Sequence, residues 1–139
     1  MKLVKFDPLS LLESARSARS KAYAPYSGYQ VGATALMSDG RTFSGVNVEN
    51  ASYGLTICAE RAALFMAVAA GSREVVAIAI VAAGTCLPWP CGACRQVLSE
   101  FGSDHTRIFV ATEDALDGYR EATLSELIPH AFGLPPAAR

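Results

Sequence analysis

Histidine, charge and long apolar runs are all scarce in this chain of 139 residues. There are two histidines, His105 and His130, and neither lies near a cysteine motif. Charged residues make up 18%, against about 25% in an average soluble domain. Twelve Lys and Arg balance thirteen Asp and Glu, and no run of like charge exceeds two residues. Such a surface offers no electrostatic footing for a nucleic acid polymer or a membrane. The longest apolar runs, Ala62–Ala70 and Val75–Ala83, are nine residues each, and a membrane-spanning helix needs about twenty. The opening MKLVKF meets Asp7-Pro8 without a hydrophobic signal region, so the expected location is the cytoplasm. Four cysteines in that reducing setting read as free or metal-bound thiols rather than disulfides.

What is present is apolar: 51% of the residues, including 24 alanines. The length suits one domain over 1–139, with 1–6 and 134–139 as loosely ordered tails. Asp7 and Pro8 read as N-cap and first residue of a helix that runs to about Tyr23, with Leu9, Leu12, Ala15 and Ala22 facing the core. Ser27-Gly28 turns the chain into a strand, Gln30–Met37, and Ser38-Asp39-Gly40 joins it to Arg41–Val48 as a hairpin. Ile57–Ala70 is Ala- and Leu-rich and meets Gly71, a helix with a glycine cap. Val75–Val81 is an unbroken apolar, β-branched run, the pattern of a strand covered on both faces. Cys91–Phe101 reads as helix, Arg107–Ala111 as strand, and Thr123-Leu124-Ser125-Glu126 as a capping box. The fold class is α/β: a mixed central sheet with helices on both faces.

The chemistry gathers at two helix starts. Cys91-Gly92-Ala93-Cys94 puts two thiols at i and i+3, both able to face one point, and a helix N-terminus favours their thiolates. Alone, this pair is a redox couple, half a metal site or chance. Cys58-Ala59-Glu60, 33 residues earlier, supplies a third thiol. Three thiolates leave one open position on a metal, the catalytic zinc arrangement. Glu60 lies about 200° from Cys58 around a regular helix. Both can reach one water only if the helix begins within a residue or two of Cys58.

Taken together, Ala24-Pro25-Tyr26-Ser27, Val31-Gly32-Ala33, Gly45-Val46-Asn47-Val48-Glu49-Asn50, Cys58-Ala59-Glu60-Arg61, Pro90-Cys91-Gly92-Ala93-Cys94-Arg95-Gln96 and Leu127-Ile128-Pro129 with Ala131-Phe132 resemble the cytidine deaminase family, in its small three-cysteine zinc form. The resemblance runs from about Leu9 to Gly133. It implies one Zn²⁺ per subunit on Cys58, Cys91 and Cys94, with Arg61 donating to thiolate sulfur. It implies that Glu60 carries protons between the activated water, N3 of the pyrimidine and the leaving ammonia. Asn47 and Glu49 match the pair that binds the ribose 3′-hydroxyl, and alternation along a strand would put them on one face. Ala59 lies beside the base, Ala51 and Tyr53 match positions that reach a neighbouring subunit's ribose, and Phe132 one that closes over the base.

Tyr29 departs from the family, which commonly has Phe there; its hydroxyl needs a partner or space. Trp89 is a pocket wall or a core residue. Cys86 matches no ligand position and reads as a small buried hydrophobe, and both histidines read as non-ligands. The implied activity is zinc-dependent deamination of cytidine and 2′-deoxycytidine in pyrimidine salvage. Alternatives are a deaminase of a modified nucleoside or cytosine-containing antibiotic, and a non-catalytic zinc-stabilised binding module. The resemblance also implies a homotetramer with active sites shared between subunits, which would account for the shortage of charge.

Overall fold

The computed structural model describes residues 4–136. Its centre is a five-stranded sheet ordered β2-β1-β3-β4-β5, formed by β1 (Val31–Met37), β2 (Thr42–Val46), β3 (Val75–Ala82), β4 (Arg107–Thr112) and β5 (Arg120–Thr123). Only β3 and β4 run parallel; the other neighbours are antiparallel. The mixed sheet expected from sequence is present. The apolar run of β3 is explained by two-sided cover. Ile78, Ile80 and Ala82 pack on one face with α2 (Ala59–Ala69), α3 (Gly92–Phe101) and α4 (Leu124–Leu127). Ala77, Ala79 and Val81 pack on the other with α1 (Pro8–Ala18).

The first helix starts as expected, with Asp7 accepting from the Leu9 amide at 3.2 Å. It stops earlier than the sequence suggests. After Ala18 one 3₁₀ turn, Arg19–Lys21, closes it, and Tyr23 bridges Val48 as extended chain. That pairing requires the helix to end, so Ala22 is only half-buried. The core stripe is Leu11, Leu12 and Ala15, while Leu9 is 37% exposed. Leu9 lies about 160° around the helix from Leu11, at the margin of that stripe. The expectation of a loose 1–6 tail fails at its inner end. Phe6 stacks edge-on against Phe109 at 5.8 Å between ring centres, and Val4 joins the same cluster. Residues 1–3 and 137–139 lie outside the described residues. The short strand β5 has no counterpart in the sequence reading, because only four residues with two exposed polar side chains mark it.

Two glycines set how closely helices approach the sheet. A Cβ on Gly32 would lie 2.0 Å from the carbonyl oxygen of Ala15 in α1. A Cβ on Gly45 would lie 2.4 Å from the amide nitrogen of Ala63 and 2.6 Å from the oxygen of Ala59, both in α2. All these obstacles are backbone, so relief requires moving a helix. Gly32→Ala and Gly45→Ala are each expected to destabilise the chain by about 3 kcal/mol or more, the upper end for overpacking. Thermal or urea unfolding measures this, with Gly54→Ala, where a Cβ meets nothing within 4 Å, as the silent control. Gly45 carries a second consequence: pushing α2 outward would displace Cys58 and Glu60 at its start.

Candidate metal centre and active site

The α2 and α3 N-termini converge beside the start of β1 and the later half of β3. Cys58 is the N-cap of α2 and Cys91 the N-cap of α3, both with extended backbone. The helix therefore begins where the Cys58–Glu60 spacing demanded. Cys94 lies in the first turn of α3 and is fully buried. The Sγ atoms of Cys58 and Cys91 are 3.9 Å apart, and the three sulfurs all lie within 4.8 Å of one another. Sulfurs at 2.3 Å from one tetrahedral zinc are about 3.8 Å apart, so the donor set fits that ion in number, type and spacing. No fourth His, Cys, Asp or Glu donor joins them among the described residues.

Polarity around the sulfurs favours thiolate. An Arg61 guanidinium nitrogen donates to Cys58 Sγ at 3.2 Å. The Cys58 thiol is held down to about 5, first by a hydrogen bond from Cys94 and then by Arg61. Cys94, donating to Cys58 and buried, is held well above the ordinary thiol range. A dication bound there displaces protons from the thiols. Arg61 Nε is buried without a partner, so the guanidinium depends on sulfur for its contacts.

Glu60, 5% exposed, is buried at the second position of α2. Burial, reinforced by the negative Cys58 sulfur, pushes its carboxyl up to about 7. A carboxyl there exchanges protons near neutral pH. It lines a cavity of about 210 Å³ with Tyr29, Asn47, Cys58, Ala59, Trp89 and Cys91. Trp89 also packs against the core, so both readings of it hold. Thr56, Val31, Ile80 and Pro88 complete the lining. The sequence marks none of these as a site residue: Val31 stands within a motif without a role, and the other three lie outside the motifs.

The remaining candidates sit elsewhere in the chain. Asn47 spends its amide on backbone, accepting from the Val31 amide at 2.9 Å and donating to the Tyr29 carbonyl at 2.8 Å. Glu49 lies beyond the end of β2, so strand alternation is not what orients it. Its carboxylate accepts from the amides of Tyr26 and Ser27 at 2.9 and 3.1 Å and from the Ser27 hydroxyl. With Tyr26, Tyr53 and Thr56 it lines an adjoining hollow of about 430 Å³. Ala51 is exposed and lines neither space. Phe132, 69% exposed, has its carbonyl held by Gln96 at 3.1 Å and lines neither space. Cys86 is exposed rather than buried, a correction to its reading as a hydrophobe. It sits in the turn after Gly84, whose φ of 88° sends the chain outward. The largest hollow, about 630 Å³ between α1, β2 and α2, contains no cysteine and no acid.

Residues 7–112 match the model of the cytidine and deoxycytidylate deaminase zinc-binding region. The chain belongs to this family. Among curated members of the cytidine deaminases, that of Halalkalibacterium halodurans is 51% identical over 127 residues, covering 91% of this chain and 94% of its own. The Mycobacterium tuberculosis cytidine deaminase is 42% identical over 126 residues, covering 91% and 90%. The crystal structure of the Burkholderia pseudomallei cytidine deaminase superposes with a TM-score of 0.84 at 46% identity, covering 91% of this chain and all of that one. As in the family model, the metal is zinc, and Cys58, Cys91 and Cys94 form the cluster able to hold it. No helix among the described residues is long and apolar enough to cross a membrane.

Proposed function

We propose that this deaminase hydrolyses cytidine and 2′-deoxycytidine to uridine and 2′-deoxyuridine, releasing ammonia, and so serves pyrimidine salvage in the cytoplasm. The observation that carries the reading is a buried carboxyl, Glu60, in one small cavity with a three-sulfur cluster that lacks a fourth protein donor. When bound, zinc supplies Lewis acidity that makes water a nucleophile near neutral pH. Glu60 takes one proton from that water and delivers it to pyrimidine N3 as the oxygen bonds C4. It then takes the second proton from the new C4 hydroxyl and passes it to the 4-amino group, whose C–N bond breaks to release ammonia. Arg61 and the two helix N-termini offset the negative charge of three thiolates. Tyr29, Ala59 and Trp89 wall the base, with Asn47 beside them in the same cavity. The cavity suits a base more than a whole nucleoside, since ligand pockets usually exceed about 300 Å³. The adjoining hollow, reached past Thr56 and bordered by Glu49, is where a ribose fits.

The test is ultraviolet absorbance or ammonia release from zinc-loaded protein given cytidine, deoxycytidine or free cytosine. Both nucleosides are expected to turn over, and the free base hardly at all. No turnover of any nucleoside by a zinc-loaded sample overturns the reading.

The active form in this reading is a homotetramer whose sites draw Ala51 and Tyr53 from neighbours, with Phe132 closing over the base. The single chain exposes 7894 Å², about 1,000 Å² more than a monomer of its mass should. Its α2 helix turns Phe65 and Met66, 47% and 53% exposed, to solvent, and Val48, 45% exposed, borders one hollow with Met66. Exposed apolar surface of this kind marks an interaction face. Light scattering at micromolar concentration is expected to give four subunits; a monomer is the failing result.

A further inference from the structure

The wall of the cavity that carries Tyr29 is held by side chains rather than by a neighbouring strand. Residues 28–30 have no ladder partner, and β1 begins only at Val31. Instead the Tyr29 amide donates to Ser27 Oγ at 3.0 Å, and Asn47 bonds the Tyr29 carbonyl and the Val31 amide. Between those two rungs, Arg19 Nε donates to the Gln30 carbonyl at 2.8 Å. Ser27, Asn47 and Glu49 border the cavity or its adjoining hollow. Arg19 reaches in from outside, from the 3₁₀ turn that follows α1.

Its guanidinium is itself fixed. The Arg19 side chain is 12% exposed and forms an ion pair with Glu113, immediately after β4. The Glu113 amide donates to the Ala82 carbonyl at 2.9 Å, and the Glu113 carbonyl accepts from Arg16 at 3.2 Å. The carboxylate is thereby pinned at the carboxyl ends of the parallel pair β3 and β4, the edge of an open α/β sheet where ligands bind. A planar guanidinium holds carboxylate and carbonyl on donors in fixed relation, whereas the rotatable donors of an ammonium fix neither direction. The first helix does not need this pair to stay docked, because Leu11, Leu12 and Ala15 already bury against the sheet. Tyr29 also feels Arg19: burial and the negative charges of Cys86 and Glu60 raise its phenol, and the Arg19 charge opposes them.

We propose that Arg19, oriented by Glu113, is a positioning residue for substrate: it holds the Gln30 carbonyl so that the Tyr29 ring stays in place as the cavity wall facing Glu60. This rests on the deaminase reading above. Arg19 touches neither substrate nor metal and acts through Tyr29, so its loss weakens binding rather than chemistry.

The experiment compares wild type with Arg19→Gln and Glu113→Gln. Arg19→Gln is expected to raise KM for cytidine about tenfold with kcat within about twofold, and Glu113→Gln to raise it about threefold, with zinc content unchanged. In a Tyr29→Ala background, Arg19→Gln should add nothing further to KM, whereas a merely structural role would cost the same in both backgrounds. The single tryptophan, Trp89, lines the same cavity, so acrylamide quenching of its fluorescence without substrate should rise in Arg19→Gln. Unchanged KM in both variants, or an equal loss in the Tyr29→Ala background, overturns the proposal. If the wild type turns over no nucleoside, the deaminase reading fails, while unchanged Trp89 quenching would separately refute the positioning role. Glu113→Gln keeps the test open should Arg19→Gln fail to fold.

Discussion

Glu60→Gln is expected to lower kcat on cytidine by at least 10³-fold while zinc stays at one per chain. Glutamine keeps the size and the hydrogen-bonding outline but cannot carry a proton, so what disappears is the transfer itself. General acid–base groups contribute about 10²–10⁴-fold, and here one group serves both the water and the leaving amine. The upper part of that range applies. Stability should move the other way. The carboxyl has an ordinary value of 4.5 and is pushed up to about 7 by burial. A carboxyl raised on folding costs nothing below its unfolded value. It costs increasingly as pH climbs from about 4.5 to 7, where the unfolded chain ionises first. The metal-free Glu60→Gln variant should therefore melt no lower than metal-free wild type at pH 5 and higher at pH 8, by up to a few kcal/mol. A variant that keeps a tenth of wild-type turnover would remove Glu60 from the reaction.

The metal cluster and Glu60 are the most legible part of the site in the sequence. A core would not choose Glu60, and three thiols at two helix starts have a spacing that alone restricts the geometry. Cys58 had to be an N-cap, and it is one. Periodicity likewise revealed β3, because two-sided burial leaves an unbroken apolar run. It failed where tertiary pairing overrode local preference. Nothing between Arg19 and Tyr23 announces that the chain must straighten to bridge Val48. Cys86 is exposed because it lies in the irregular segment between β3 and α3, and matching no ligand position does not by itself bury a cysteine. The substrate-side residues were legible only through resemblance. Asn47 and Glu49 bind backbone in the single chain, and a motif names a residue without saying which of its hydrogen bonds are already committed.

Removing one thiol should have the second large effect. Cys58→Ala is expected to leave the purified protein with less than about a tenth of a zinc per chain after dialysis against a mild chelator, and with no measurable turnover. Three donors are the whole protein contribution to the cluster among the described residues, so two cannot hold the ion against competition. Cys58 is more damaging to lose than Cys91, because it also accepts the Arg61 hydrogen bond. With Arg61 Nε already unpartnered, the substitution strands the rest of a partly buried guanidinium. That adds about 1–3 kcal/mol of destabilisation beyond the lost metal, which Cys91→Ala should not show, since Arg61 does not donate to Cys91. Metal-free unfolding of the two variants isolates this difference: Cys58→Ala should melt lower than Cys91→Ala even without zinc. Cys86→Ala, at an exposed thiol outside the cluster, should keep its zinc, its melting point and its turnover. Zinc retained by Cys58→Ala, or released by Cys86→Ala, would mean that the ligands are wrongly assigned. Equal metal-free stability of Cys58→Ala and Cys91→Ala would mean that Arg61 does not depend on sulfur for its place.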